Sequence, residues 1–126
     1  MILCDTNILI EFLKGNASIV QQLRVIGQTQ IAVSAITQAE LLFGARDKLE
    51  MQSLQKMLLS VQVFPVIPAI SDRFIQLITS YSLSHRLAIP DAWIAATAIE
   101  YSVQLYTLNL KDFRFIAGLQ LYTPSP

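Results

Sequence analysis

Acidic side chains inside otherwise apolar segments are the residues of this chain whose types and spacing could do chemistry. Asp5 follows the apolar run Met1–Cys4, Glu40 lies in the segment ITQAELLFG, Asp91 lies in IPDAWI, and Asp112 lies in TLNLKDF. Only 14% of the 126 residues are charged, and burial of an unpartnered carboxylate costs free energy. We therefore predict that these acids converge on a divalent cation.

The chemistry that such a site would perform follows from its donor atoms. Carboxylate oxygens suit hard cations, so Mg²⁺ or Mn²⁺ is the expected cofactor, with several waters retained. A cation of this kind activates a water and stabilises the leaving oxygen of a phosphodiester, without a covalent nucleophile. A purely structural interpretation makes Asp5 a turn residue and Asp91 a helix cap. That interpretation explains Glu40 less well, because Glu40 lies mid-helix beside residues predicted to be buried.

Strand and helix patterns alternate along the chain. Helical spacing of apolar residues separates apolar runs, so we predict strands at Ile2–Cys4 and at residues 30–35, 61–67 and 103–107, and a short terminal strand at 119–122. Alternation of this kind is typical of a mostly parallel sheet with helices on both faces, a three-layer α/β/α arrangement. Sites in such folds lie at the carboxyl ends of the strands. Asp5 and Asp112 are therefore expected at the same sheet edge.

Two predicted helices position the other acids. Thr37 is a candidate cap for the helix that contains Glu40. Glu40 shares a helical face with Ile36 and Phe43, so it should point toward the sheet unless the helix end opens onto the active edge. The next acid, Asp91, follows Pro90 in a predicted helix 91–101, where the helix dipole favours a negative charge.

Composition limits the remaining possibilities. The length predicts one domain spanning residues 1–126, and the apolar fraction of 53% excludes a disordered chain. No apolar stretch approaches the roughly 18 residues needed to cross a bilayer, and no secretory leader is recognisable, so we expect a cytoplasmic protein. The single cysteine, Cys4, excludes an internal disulfide and a cysteine-based zinc site, and is expected in the core.

The charge balance is uninformative about nucleic acid. Nine basic residues balance nine acidic ones, so a nucleic-acid partner would need a local basic patch. Five residues could form one, and scattered solvated charges are the alternative: Lys14, Arg46, Lys48, Arg86 and Lys111. The lone His85 is expected as a helix-end or solvated residue, and Trp93 as a core residue rather than a platform for a base.

Four segments, taken together and in order, carry a family resemblance. They are Asp5-Thr6-Asn7 after the first strand, VSAITQAELLFG at 33–44, PDAWIAATA at 90–98 and TLNLKDF at 107–113. Each is weak alone, but jointly they resemble PIN-domain proteins, and most of all the VapC toxins of bacterial type II toxin–antitoxin pairs. The resemblance covers nearly the whole chain.

The resemblance implies a metal-dependent endoribonuclease. Asp5, Glu40 and Asp91 match the acidic metal-binding positions of the family. The family often has an Asp where this chain has Asn109, which leaves the fourth ligand open. We favour Asp112 for its charge and keep Asn109 as the alternative.

Further roles and partners follow from the same resemblance. Four polar residues are candidates for orienting carboxylates or water, with ordinary capping and turn chemistry as the alternative: Thr6, Asn7, Ser34 and Thr107. The implied partners are an RNA substrate, a cognate VapB-like antitoxin and a second copy of the chain in a homodimer. The helices around residues 23–26 and 54–58 are the candidate interfaces.

Two other classes of function stay open at this point. A degenerate PIN-like module could hold RNA or protein without catalysis, and Asn109 is the feature in its favour. A phosphotransfer or phosphatase domain could also open with a strand that ends in Asp. Haloacid-dehalogenase-like domains carry a second Asp two residues later, however, where this chain has Asn7.

Overall fold

A parallel sheet is the centre of the computed structural model, which describes residues 1–124. Its strands lie in the order β3-β2-β1-β4 and all pairs are parallel. The strands are β1 (Ile2–Cys4), β2 (Ile31–Ser34), β3 (Gln62–Phe64) and β4 (Gln104–Tyr106). Leu3 of β1 pairs with Ala32 on one side and Leu105 on the other. The predicted parallel sheet is confirmed.

Helices cover both faces of this sheet. They are α1 (Thr6–Leu13), α2 (Ala17–Ile26), α3 (Ala35–Phe43), α4 (Lys48–Leu58), α5 (Pro68–His85) and α6 (Ile89–Glu100), with single 3-10 turns at Gln28–Gln30 and Leu110–Asp112. No helix within residues 1–124 is long and apolar enough to cross a membrane.

Alternation along each strand divides the core into two layers. Leu3, Ala32 and Leu105 join the cluster that contains buried residues of α5 and α6. Cys4 and Val33, one residue further along β1 and β2, join the cluster with the buried residues of α1 and α2. Successive side chains of a strand point to opposite faces of the sheet, so each strand contributes side chains to both core layers. This arrangement confirms the three-layer α/β/α prediction.

The strands are shorter than the sequence predicts. β3 ends at Phe64 because Pro65 cannot donate to the ladder. The predicted terminal strand at 119–122 is reduced to one bridge between Leu105 and Leu121. At that bridge the Leu105 N–H donates to Gln120 and the Tyr122 N–H donates back to Leu105, both at 2.8 Å.

Helix α3 differs from its prediction in both its cap and its buried face. Ser34, not Thr37, is the cap, since Ser34 Oγ accepts a hydrogen bond from the Thr37 N–H at 3.0 Å. Thr37 and Leu41, spaced by four, are the buried residues of the helix, whereas Glu40 is exposed and Phe43 is 80% exposed. The expectation that Glu40 and Phe43 face the sheet is wrong. Packing rotates the helix so that the 37/41 stripe faces inward.

Candidate active site

Asp5 lies at the carboxyl end of β1 and is only 5% exposed. Its backbone N–H donates to Tyr106 at 2.8 Å, which continues the pairing of β1 with β4. Its side chain also caps α1, because Oδ1 accepts from the Thr6 N–H at 2.8 Å. The other oxygen, Oδ2, accepts from Thr107 Oγ1 at 2.8 Å. Both carboxylate oxygens are therefore held in fixed directions.

The loop after β4 supports this arrangement. The Asn109 N–H donates to Thr107 Oγ1 at 3.0 Å, and the Leu108 N–H donates to Asn7 Oδ1 at 3.4 Å. These contacts join the loop to the start of α1. Thr107 is buried, so its hydroxyl has one orientation that satisfies both Asp5 and Asn109.

Glu40 approaches the same sheet edge from α3. Its Oε1 accepts a hydrogen bond from Thr6 Oγ1 at 2.7 Å. Thr6 directly follows Asp5, so this bond ties Glu40 to the segment that caps α1. Glu40 thus reaches the site from an exposed position rather than from the core. Glu40 therefore lies at the carboxyl edge of the sheet and not under the helix, as the alternative prediction allowed.

Asp91 lies in the first turn of α6, where Pro90 precedes it. Burial is the largest influence on Asp91, and together with the negative charges of Asp5, Asp112 and Glu40, in that order, it raises the pKa of this carboxyl to about 6. These acids are therefore close enough to repel one another.

The pKa of Asp5 is also raised, and burial is again the first cause. Burial is the largest influence and raises the pKa of Asp5, while the hydrogen bonds from Thr107 and Thr6 lower it and the charges of Glu40 and Asp112 raise it. Hydrogen bonds to the charged form partly offset the burial. Asp112 ends the 3-10 turn after β4 and belongs to the same electrostatic cluster.

The donor set fits a hard cation by its chemistry. The ion pairs found within residues 1–124 join Lys14 to Glu11, Arg46 to Glu50 and Arg73 to Glu100, and none includes the four acids. Four carboxylates without a basic partner favour a divalent cation. In the described part of the chain, however, no three acidic, His or Cys side chains already stand at metal-ligand spacing. A bound cation would thus require side-chain adjustment or water ligands.

Part of the predicted basic patch lies beside Glu40. Lys14 and Arg46 line a groove of about 480 Å³ together with Glu40. The three other basic residues of the predicted patch are not among the residues that line this groove: Lys48, Arg86 and Lys111. The structure therefore brings two of the five basic residues of the predicted patch to one groove.

The supporting residues divide into two groups. Thr6, Asn7 and Thr107 contact the acids or the loop that holds them. Ser34 instead caps α3 and lies 3.3 Å from Thr37 Oγ1. Thr37 is the residue that sequence reasoning placed only as a cap, yet its Oγ1 lies 3.0 Å from Thr6 Oγ1. Its place three residues before Glu40 was the signal that could have identified it.

Three residues for which alternative interpretations were open have structural contacts. Cys4 is fully buried, and burial raises the pKa of its thiol to about 12, so it is a core residue. The Trp93 ring stacks on Phe74 at 3.8 Å and packs against the core. His85 is exposed in the last turn of α5, and its ring stacks on Phe115 at 4.1 Å.

The predicted interface helices border a second groove. This groove has a volume of about 720 Å³ and is lined mostly by apolar residues, among them Leu9 of α1, Leu23 of α2 and Met57 of α4. Leu54 and Leu58 are themselves buried. A partner interface at these helices stays a prediction.

Comparison with known proteins identifies the family. The model of the PIN domain family matches residues 2–119. Ribonuclease VapC10 of Mycobacterium tuberculosis is 34% identical, over 95% of this chain and 91% of the relative. Ribonuclease VapC1 of Rickettsia felis is 32% identical, over 98% of this chain and 96% of the relative.

Solved structures agree with this assignment. A chain of the toxin–antitoxin complex from Klebsiella pneumoniae superposes with a TM-score of 0.80 at 34% identity, covering 94% of this chain and 95% of that chain. A chain of VapBC2 from Rickettsia felis, solved with a DNA fragment of its promoter, superposes with a TM-score of 0.81 at 29% identity, covering 97% and 98%. The chain therefore belongs to the PIN-domain family, in the group of the VapC ribonucleases.

Proposed function

We propose that this protein is a metal-dependent endoribonuclease and the toxin of a type II toxin–antitoxin pair. Its curated relatives are ribonucleases, and its structural relatives come from toxin–antitoxin complexes. The observation that carries the proposal is the cluster of acids at the carboxyl edge of the sheet. There the charges of Glu40 and Asp112 raise the pKa of both Asp5 and Asp91, and no ion pair within residues 1–124 includes any of the four acids.

The cofactor in this proposal is Mg²⁺ or Mn²⁺. Asp5 and Asp91 would hold it directly, and Glu40 and Asp112 would complete the set directly or through water. Asp112 is preferred over Asn109 because its charge already raises the pKa of Asp5 and Asp91. Asn109 instead supports Thr107 through its backbone N–H, which donates to Thr107 Oγ1. When bound, a cation of this kind supplies an activated water and stabilises the leaving oxygen of a phosphodiester.

The residues around the acids prepare them for this role. Thr107 and the Thr6 N–H fix the two oxygens of Asp5, so that the directions of their remaining lone pairs are set before a cation arrives. The Thr6 hydroxyl holds Glu40 beside them. The raised pKa of Asp91 means that part of the population is protonated near pH 6, and a cation would displace that proton.

The partners in this proposal are an RNA substrate, a VapB-like antitoxin and a second copy of the chain. Lys14 and Arg46 line the groove that reaches Glu40, so they are placed to contact phosphates near the acids. Both side chains pair with a neighbouring acid, at 3.4 Å and 3.1 Å, and both pairs are at the surface. A surface pair of this kind exchanges its partner at little cost.

One alternative retains a specific observation in its favour. A PIN-domain module that binds RNA or protein without cleavage would explain Asn109 at a position where the family often has an Asp. It would also explain why no three ligand side chains within residues 1–124 stand at metal-binding distance. Membership of the PIN-domain family removes the phosphotransfer interpretation.

The proposed function is tested by induced expression of the wild type, Asp5→Asn and the control Asp72→Asn. Asp72 is an exposed acid of α5, so its variant makes the same charge change away from the site. Growth and total RNA are followed together. We expect growth arrest and discrete RNA fragments from the wild type and Asp72→Asn only. RNA fragments from Asp5→Asn at the wild-type level would refute the proposed site. A wild-type protein that is soluble but produces no RNA fragments would favour the non-catalytic binding module.

A further inference from the structure

A line of hydroxyl groups runs from the core to Glu40. Ser34 Oγ lies 3.3 Å from Thr37 Oγ1, which lies 3.0 Å from Thr6 Oγ1, which lies 2.7 Å from Glu40 Oε1. Ser34 and Thr37 are both 0% exposed. The line therefore begins in a region closed to solvent and ends on an exposed carboxylate.

The Thr37 hydroxyl makes different hydrogen bonds from those of two other helical threonines. The Thr79 and Thr97 hydroxyls each donate to the backbone carbonyl four residues earlier, at 2.8 Å. Within residues 1–124, the contacts of the Thr37 hydroxyl are with the hydroxyls of Ser34 and Thr6. Hydrogen bonds to both neighbours offset the cost of burying this hydroxyl. Unlike the hydroxyls of Thr79 and Thr97, it therefore joins α3 to Thr6 instead of bonding the backbone of its own helix.

The available protons give this line a direction. Each hydroxyl carries one proton, and an ionised Glu40 can only accept, so the proton of Thr6 is used by Glu40. The proton between Thr37 and Thr6 must then come from Thr37. Ser34 Oγ already accepts from the Thr37 N–H, and its own proton goes to Thr37. Every proton thus points toward Glu40, and hydrogen bonds arranged in this way strengthen one another.

We infer that Thr37 is a positioning residue that acts through Thr6 to hold Glu40 in the orientation needed for cation binding. This inference rests on the proposed function. Glu40 is exposed on a long side chain, so its free rotation opposes binding entropically. A Thr6 hydroxyl oriented by Thr37 selects one rotamer of Glu40 before the cation arrives. Partners of this kind, which touch a ligand residue and not the cation, contribute to affinity.

The first test measures Mn²⁺ affinity by calorimetry on Thr37→Val, Thr37→Ser and the control Thr97→Val. We expect Thr37→Val to bind Mn²⁺ about 10-fold more weakly. This is the magnitude typical of losing a residue that supports a metal ligand without touching the metal. Thr37→Ser keeps the hydroxyl and should restore most of the affinity. Thr97 is also a buried helical threonine, so Thr97→Val should lower the melting temperature without changing Mn²⁺ affinity. If Thr37→Val does not fold, Thr37→Ala removes the same hydroxyl.

A double-mutant cycle tests whether the effect passes through Thr6. Thr6→Val alone should weaken Mn²⁺ binding at least as much as Thr37→Val, and adding Thr37→Val to Thr6→Val should produce no further loss. Unchanged affinity in Thr37→Val, or fully additive losses in the double variant, would overturn the inference. Asp5→Asn is measured in parallel. If Asp5→Asn binds Mn²⁺ normally, the proposed metal site fails; if only the Thr37 variants bind normally, the inference alone fails.

Discussion

Replacement of Asp91 by Asn should stabilise the protein in the absence of a cation, by an amount that grows as the pH rises from about 4 to about 6. Burial, followed by the charges of Asp5, Asp112 and Glu40, raises the pKa of Asp91 from its ordinary 3.8 to about 6. A carboxyl whose pKa is higher in the folded state favours folding at low pH. That contribution is complete below about pH 4, where both states are protonated, and is lost as the pH rises through about 6.

The size of the effect follows from the pKa and the exposure of the side chain. A rise from 3.8 to about 6 corresponds to roughly 3 kcal/mol, at about 1.4 kcal/mol for each pH unit. Asp91 is partly exposed, so solvent screening reduces this to about 1 kcal/mol. For a domain of 126 residues, that is a rise in melting temperature of roughly 3–5 °C.

The assay is thermal unfolding of the wild type, Asp91→Asn and the control Asp72→Asn in EDTA, at pH 4 and at pH 7.5. We expect Asp91→Asn to exceed the wild type at pH 7.5 and to match it at pH 4, while Asp72→Asn follows the wild type at both. With excess Mn²⁺ the order at pH 7.5 should reverse, because the wild type gains more from binding. A destabilised Asp91→Asn at pH 7.5 in EDTA, or an equal shift at both pH values, would refute the argument from the raised pKa of Asp91.

Three other predictions concern the same edge of the sheet. Asp5→Asn should abolish RNA cleavage with the fold intact by circular dichroism, and cleavage at the wild-type rate would contradict its role. Asp112→Ala and Asn109→Ala should separate the two candidates for the fourth ligand: we expect the larger loss of Mn²⁺ affinity from Asp112→Ala, and the opposite order would assign the role to Asn109. Thr107→Val removes the donor to the buried Asp5 Oδ2, so urea unfolding at pH 7.5 should show a loss of about 1–3 kcal/mol, and an unchanged midpoint would mean that water replaces this donor.

Several features of the site are local and could be predicted from sequence. Asp5 follows a short apolar run, and a run of this kind forms a strand whose carboxyl end delivers the next side chain to the sheet edge. Asp91 follows Pro90, which is suited to the first turn of a helix, and the structure begins α6 at Ile89. The four segments around the acids also sufficed to identify the PIN-domain family.

Features that depend on packing could not be predicted in the same way. The helical period placed Glu40 on a helix, but not the direction in which it points. The rotation of α3 about its axis was set by Thr37 and Leu41 packing inward, which left Phe43 at the surface. The length of the terminal strand likewise depended on the one bridge between Leu105 and Leu121.

The sequence by itself determined which acids form the candidate site, their order along the strands and helices, and the three-layer architecture. These features depend on strand and helix periods and on turn residues, which involve only residues close together in the chain. Only the tertiary structure decided which hydroxyl donates a hydrogen bond to which acid. Thr107 reaches Asp5 across 102 positions of sequence, and Thr6 reaches Glu40 across 34. Contacts at such separations arise from the parallel order of β2, β1 and β4, which brings the ends of distant segments to one edge.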